Sequence, residues 1–295
     1  MNFQQLEYIV ALEKHKNFVA AANACFVSQP TLSMMVKKLE EELEIVIVRR
    51  GMHPLEFTEE GLSLLNQAKR ILAEQQMMRE ISKEISKGLD GEIRISVIPS
   101  LASTVVPHFI NNIENGEHDL KIVIQELPTE KALIALTQGD IDLAILATES
   151  DSSIYTSHPI YEEEFVAYVS PLEKMPARKF IQPKHIASEK LWFLSEEHCF
   201  REQALEVCSF KKKKKSKVVY DAGSIQTLIR LVDENGGMTL LPAAYIQFLS
   251  TKQRANVREF APPVPMRLVQ LTTLQDYPRK KVVEFLLEAL KPSVA

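Results

Sequence analysis

Phe18-Val19-Ala20-Ala21-Ala22-Asn23-Ala24-Cys25-Phe26-Val27-Ser28-Gln29-Pro30-Thr31-Leu32-Ser33-Met34-Met35-Val36-Lys37-Lys38-Leu39 decides the architecture of the N-terminal region. Phe18, Ala21, Ala22 and Cys25 fall at helical spacing, with small residues on the packing face. Cys25 reads as an inert core position on that face. Phe26-Val27-Ser28 breaks the pattern. Ser28 is a favourable N-cap, and Pro30 is tolerated in a first helical turn, where its missing amide has no intrahelical partner. The helix that follows buries Leu32, Val36, Leu39 and Leu43, and its other face carries Pro30, Ser33, Met34 and Lys37. Two short helices with small residues at their contact and a tight turn between them predict a helix-turn-helix.

The flanks extend it. Phe3, Leu6, Ile9 and Val10 predict one face of a preceding helix. Ile45-Val46-Ile47-Val48 reads as a strand, Arg49 to Pro54 as a turn and Leu55-Glu56-Phe57 as a return strand, together a wing. From Thr58, a cap, to about Lys87 the chain lacks proline, and Gly88 is a stop signal. Leu64, Ile71, Met78 and Ile85 recur every seven residues, widened by Leu65, Ala68, Leu72 and Ile81. A helix of this length, roughly 45 Å, needs a partner. A second copy of itself is the simplest, which predicts a homodimer; packing on its own domain is the plainer alternative.

Beyond Gly91 strands and helices alternate. Strands are predicted at Ile93–Ile98, Lys121–Glu126, Leu143–Leu146, Glu164–Ser170, Leu191–Leu194, Val218–Tyr220, Met238–Leu241 and Arg267–Thr272. Helices are predicted at Leu101–Asn115, Glu130–Gln138, Arg201–Cys208, Ser224–Asn235 and Arg279–Leu290. Such alternation indicates α/β folding with mainly parallel sheets. The 295 residues suffice for two or three domains, and 25% charged and 45% apolar residues are ordinary for a globular chain. No apolar run approaches the roughly 18–20 residues that span a bilayer. The N-terminus lacks the pattern of a signal peptide, so a cytoplasmic protein without membrane contact is expected. Lys211–Lys215 reads as a solvated loop.

Two of the three cysteines share one segment, His198-Cys199-Phe200-Arg201 and then Cys208. Neighbouring groups able to carry positive charge favour thiolate, the nucleophilic and oxidisable form. A second thiol nearby gives an oxidised first sulfur something to condense with. This pattern looks like a redox sensor. A metal site is the weaker reading, because the spacing with one adjacent histidine offers three soft ligands at best. The plainest alternative is that both cysteines are small buried apolar residues.

Ala21-Ala22, Ser28-Gln29-Pro30-Thr31-Leu32-Ser33, Lys38-Leu39-Glu40 and Glu42-Leu43 resemble the N-terminal signature of LysR-type transcriptional regulators. Phe57-Thr58-x-x-Gly61 resembles the opening of that family's linker helix, and Gly236-Gly237-Met238-Thr239-Leu240-Leu241-Pro242 its late strand-turn motif. The resemblance spans essentially the whole chain. Leu6-Glu7-Tyr8, Val10-Ala11-Leu12, Ile98-Pro99, Pro107-His108 and His198-Cys199-x-Arg201-x-Gln203-Ala204 with Cys208 are most similar to the branch that senses hydrogen peroxide.

The resemblance implies an α/β protein. An N-terminal winged helix-turn-helix (1–57) and a linker and dimerisation helix (58–88) precede a two-subdomain α/β regulatory domain (89–295) like type 2 periplasmic binding proteins. One subdomain would take about 89–162 plus 268–295, the other about 163–267. It implies a DNA-binding regulator of oxidative-stress genes and no enzyme, with Cys199 as peroxidatic thiol and Cys208 as resolving thiol, joined in a disulfide. Ser100, Thr129, His198 and Arg201 would hold peroxide. Ser100 stands where the family commonly has threonine. Gln29, Pro30, Thr31, Ser33 and Lys37 would face DNA from the recognition helix, and Arg50 from the wing. The implied partners are promoter DNA, hydrogen peroxide, further copies of the chain (a homodimer, then a homotetramer), RNA polymerase, and glutaredoxin or thioredoxin as reductant; no cofactor or metal is implied. His53, Glu44 and Lys211–Lys215 depart from the family pattern.

If Cys199 and Cys208 sit at opposite ends of one helix, they are roughly 13–14 Å apart. A disulfide needs Cα atoms within about 7 Å. The helix would have to unwind or move, exposing Phe200, Ala204, Leu205 and Val207. Two other functions compete: a thiol peroxidase, and a LysR-type regulator that binds a small metabolite between its α/β halves with incidental cysteines. Residues 1–57 are slightly acidic, so charge alone would not suggest DNA.

Overall fold

A computed structural model describes residues 1–52, 54–87, 89–116, 118–173, 180–183, 186, 191–195, 199–208, 220 and 222–291. The chain divides into two compact units, Met1–Gly88 with Ala135–Asp140, and Leu89–Ile134 with Ile141–Ala295. Among the described residues no single helix is long and apolar enough to cross a membrane.

In the first unit, α1 (Phe3–His15) starts from an Asn2–Gln5 capping box and buries Leu6, Tyr8, Ile9 and Leu12. The expected stripe is therefore shifted: Phe3 is exposed. Helix α2 (Phe18–Ala24) is capped by the Asn17 side chain and buries Ala21 and Ala22. Helix α3 (Gln29–Leu43) starts at Ser28, which accepts the Thr31 amide, and buries Leu32, Val36 and Leu39. Leu43 is only half-buried. The helix-turn-helix forms as its spacing predicts.

The wing is shorter than expected. Strand β1 is only Val48–Arg49, antiparallel to β2 at Glu56–Phe57. The reason is Glu40: its Oε1 accepts the amides of Ile47 at 2.8 Å and Val48 at 3.2 Å. A carboxylate thus replaces a strand partner. The chain reaches this site through Glu44, a C-cap with φ 55°, in the left-handed region that favours glycine.

Helix α4 (Glu59–Lys87) runs 29 residues. Thr58 Oγ1 accepts the Gly61 amide at 2.9 Å and donates to Val46 O. A Cβ on Gly61 would lie 2.1 Å from Ile47 O, so the Thr-x-x-Gly signature is a docking contact between helix and wing. Leu65 and Ala68 enter the core of the head, whereas Met78, on the predicted heptad stripe, is 72% exposed. Gly88, His53 and the side chain of Ile85 lie outside the described residues.

The second unit contains β3 (Asp90–Val97), α5 (Pro99–Glu114), β4 (Asp119–Glu126), most of α6 (Thr129–Gln138) and β5 (Leu143–Leu146). There follow β6 (Tyr155–Val169), β7 (Phe180–Ile181), α7 (Cys199–Cys208), α8 (Ile225–Asn235) and β8 (Met238–Pro242). A 3-10 segment (Ala243–Phe248), α9 (Thr251–Arg254), β9 (Val257–Phe260), β10 (Met266–Leu274) and α10 (Lys280–Leu290) complete it.

The strand order is β4-β3-β5-β10-β6-β9-β7, with β8 on β6. The sheet is mixed, which corrects the mainly parallel expectation. β3 is parallel to β4 and β5, but β10 is antiparallel to β5 and β6, and β6 is antiparallel to β8 and β9. The cause is β10, which returns from late in the chain to pair between β5 and β6. Leu191 and Leu194 make only isolated bridges. Val218 and Val219 of a predicted strand lie outside the described residues, as does Lys211–Lys215. Gly236 and Gly237, at φ 76° and 87°, make the sharp passage from α8 into β8.

Glu44→Gly should raise the stability of the head by about 0.5–1 kcal/mol by relieving a left-handed Cβ. Gly61→Ala should lower it by about 1–3 kcal/mol through overpacking. Hydrogen exchange of the amides of residues 40–48 in the full chain measures both.

Candidate functional site

The carboxyl ends of β4, β3 and β5 lie side by side, where α/β sheets place ligands. Three loops leave this edge: Ile98-Pro99-Ser100 into α5, Leu127-Pro128-Thr129 into α6, and Ala147-Thr148. Ser100 is buried. Thr129 Oγ1 and Thr148 Oγ1 are buried with no hydrogen-bond partner among the described residues. Buried hydroxyls without partners mark a place where a small polar molecule can bind.

Helix α7 spans Cys199 to Cys208, so the two cysteines stand at opposite ends of one described helix. Cys199 is free and half-buried. Phe200 and Ala204 are fully buried in the core formed with β6, β8 and α8. Gln203 Nε2 donates to Ala147 O at the end of β5, while its Oε1 is buried without a partner among the described residues. This helix is therefore tied to the same strand ends as Ser100 and Thr129. Arg201 lies in its first turn. His198 and the Cys208 side chain lie outside the described residues.

The group that joins these parts is one that local pattern does not single out. Arg267 on β10 and Glu163 on β6 are cross-strand partners, both about 4% exposed. Arg267 Nε and Nη2 lie 2.7 and 2.6 Å from Glu163 Oε2. Its Nη1 donates to Ser100 Oγ at 3.0 Å, and its guanidinium lies 5.2 Å from the Phe200 ring centroid and 5.9 Å from that of Phe165. One buried cation thus touches the α5 start and the residue after Cys199. Burial, reinforced by the Glu163 charge and opposed by Arg267, pushes the neighbouring Tyr161 phenol well up. Alternation is the signal that could have found Glu163, since Glu164 points out and Glu163 points in.

Cys25 behaves differently. It packs half-buried against the head core, and burial, with the Glu7 carboxylate, raises its thiol.

A cavity of about 740 Å³ lies beside the same strand ends, lined by Ser100, Ser103, Gln125, Ser224 and Tyr245 among others. In the head, Gln29, Pro30, Thr31 and Lys37 are exposed on one side of α3, with Ser33 half-buried at its edge. The Thr31 hydroxyl lies 2.8 Å from that of Ser28. Lys37 pairs with Glu41 at 3.4 Å, and Arg50 with Glu40 at 3.0 Å.

Residues 3–62 match the family described as "Bacterial regulatory helix-turn-helix protein, lysR family", and residues 86–295 match "LysR substrate binding domain". The chain is 30% identical over 291 residues to the DNA-binding transcriptional dual regulator OxyR of Escherichia coli K12, covering 99% of this chain and 95% of that protein. It is 30% identical over 294 residues to a hydrogen peroxide-inducible genes activator of Haemophilus influenzae, covering 100% and 97%. A solved full-length OxyR variant from Pseudomonas aeruginosa superposes with a TM-score of 0.79 at 28% identity, over 99% of this chain and 98% of that one.

Arg267→Met should destabilise the second unit by about 3–5 kcal/mol, because it leaves the Glu163 charge buried and unpaired. Adding Glu163→Leu should restore most of that loss in chemical denaturation.

Proposed function

The chain belongs to the LysR family of bacterial regulators, and on that premise we propose that it is a DNA-binding transcriptional regulator that senses hydrogen peroxide through a Cys199–Cys208 switch. One observation carries the reading: both cysteines belong to one helix, whose first-turn Phe200 lies 5.2 Å from Arg267, the donor to Ser100.

The Cys199 thiolate attacks one peroxide oxygen, the O–O bond breaks, and the hydroxide that leaves is protonated to water. The protein is left with a sulfenic acid. Ser100, Thr129, His198 and Arg201 are the proposed donors to the peroxide oxygens. The Cys208 thiolate then attacks the Cys199 sulfur, a second hydroxide leaves as water, and the S–S bond forms. Two thiols are oxidised by two electrons, and one peroxide becomes two waters.

Ends of a ten-residue helix are roughly 13–14 Å apart, about twice the reach of a disulfide. Helix α7 must therefore unwind or move for the bond to form. Phe200 and Ala204 leave the core, and Gln203 leaves Ala147. This repacking is the proposed signal, passed through paired regulatory domains to the DNA-binding heads. Residues 1–57 form the head, 58–88 the dimerising linker and 89–295 the regulatory domain, with subdomains near 89–162 plus 268–295 and near 163–267. Gln29, Pro30, Thr31, Ser33, Lys37 and Arg50 face promoter DNA. A homotetramer in the cytoplasm, contact with RNA polymerase, and reduction by glutaredoxin or thioredoxin complete the reading.

The 740 Å³ cavity favours a second reading, in which a small metabolite is the effector and the cysteines are incidental. Peptide mapping after mild peroxide separates the two. A Cys199–Cys208 disulfide is expected, together with altered promoter binding. Cys199→Ser should abolish both, whereas Cys208→Ser should leave a sulfenic acid that a dimedone probe traps. A promoter response to peroxide that persists in Cys199→Ser would overturn the switch.

A further inference from the structure

Helix α6 has two ends with different surroundings. Its first residue, Thr129, carries one of the buried hydroxyls at the strand ends that have no partner among the described residues. Its last turn lies within Ala135–Asp140, a segment of the first unit. There Arg70 Nε of α4 donates to Thr137 O at 3.0 Å, and Gln138 Nε2 donates to Asn66 Oδ1 at 3.3 Å. Gly139, at φ 72°, closes the contact, because a Cβ on it would overlap the Ala73 side chain. A cation at the carboxyl end of a helix also complements its dipole.

Asn66, Arg70 and Ala73 fall at i, i+4 and i+7 and so make one face of α4. At about 100° per residue, that face is turned away from Leu64, Leu65, Ala68, Ile71 and Leu72, which pack in the core of the head. The seat is thus separate from the core. Both of its hydrogen bonds are exposed, and its close packing is one glycine against one alanine. It can part without uncovering apolar surface, and moving elements are drawn from contacts of such low local stability. Between its ends α6 offers no hinge: Glu130 to Gln138 contains neither glycine nor proline. Tyr155 Oη donates to Leu133 O at 3.1 Å midway. A displacement at Thr129 therefore moves the helix as a whole, roughly 15 Å of it.

We propose that this seat is a coupling contact, through which α6 carries a change at Thr129 to the linker helix within one chain. Cys199 is free in this structure, so the engaged seat belongs to the thiol form, and oxidation releases it. Arg70 is the residue that holds it. This rests on the reading that Cys199 senses peroxide and that the head binds DNA.

The test uses the full-length chain and a duplex that it selects from a randomised library. Affinity for that duplex is measured with the thiols reduced and again after mild peroxide, and the ratio of the two is the coupling. Arg70→Gln and Ala73→Leu should each bring the ratio about three- to tenfold nearer to one, the scale on which single residues modulate coupling. Arg70→Lys should keep part of it. Thiol titration should show Cys199 oxidised at the wild-type rate in every variant, and thermal melting checks that each is folded. In the wild type, hydrogen-exchange protection of residues 66–73 and 137–140 should fall on oxidation. An unchanged ratio in Arg70→Gln and Ala73→Leu, or equal protection in the two redox forms, would overturn the seat alone. A wild-type chain that selects no duplex, or whose affinity ignores peroxide, would overturn the sensing reading and the seat together.

Discussion

Arg267 is the constraint on which the regulatory unit depends. A guanidinium removed from water needs its charge matched, and Glu163 across the strand pair supplies the match. Its Nε donates to Glu163 and its Nη2 stands in ion-pair contact with the same oxygen, so Nη1 is left for Ser100 and the face for Phe200 and Phe165. Buried ion pairs seldom add net stability over an apolar core. This one positions: it joins the sheet, the start of α5 and helix α7 at a single group.

On the proposed mechanism, the same arrangement lets a small oxidant move a large structure. Helix α7 is held by Phe200 and Ala204 in the core and by Gln203 on the end of β5, so its two ends cannot approach while those contacts persist. A bond joining the two ends is incompatible with the packing in between. On the proposed mechanism the fold passes between two discrete arrangements rather than through a graded deformation, because packed cores resist partial change.

Local pattern carries much of this in the sequence, and distant pairing does not. The helix-turn-helix is legible because Leu32, Val36 and Leu39 repeat at helical spacing within one element. The cysteines can be placed on one helix for the same reason. Strand β6 shows in the pattern only from Glu164 onward, because Pro159 and three adjacent glutamates read as a surface stretch. Pro159 sits at the register shift of the β10 pairing, where a missing amide is tolerated. Glu163 finds its partner 104 residues away, and no local period reports such a distance. The short wing has a similar cause, since Glu40 takes amides that a strand partner would otherwise bind.

On the proposed mechanism the burial of Phe200 and Ala204 also sets a clock. On the proposed mechanism the sulfenic acid at Cys199 waits until α7 opens, and the opening rate follows the local stability of that helix. A sparsely packed helix would resolve almost every oxidation event, whereas this one leaves time for a reductant to act first. Brief exposure would then be erased and sustained exposure recorded. On that mechanism, the depth of two side chains in the core fixes how long the molecule listens before it commits.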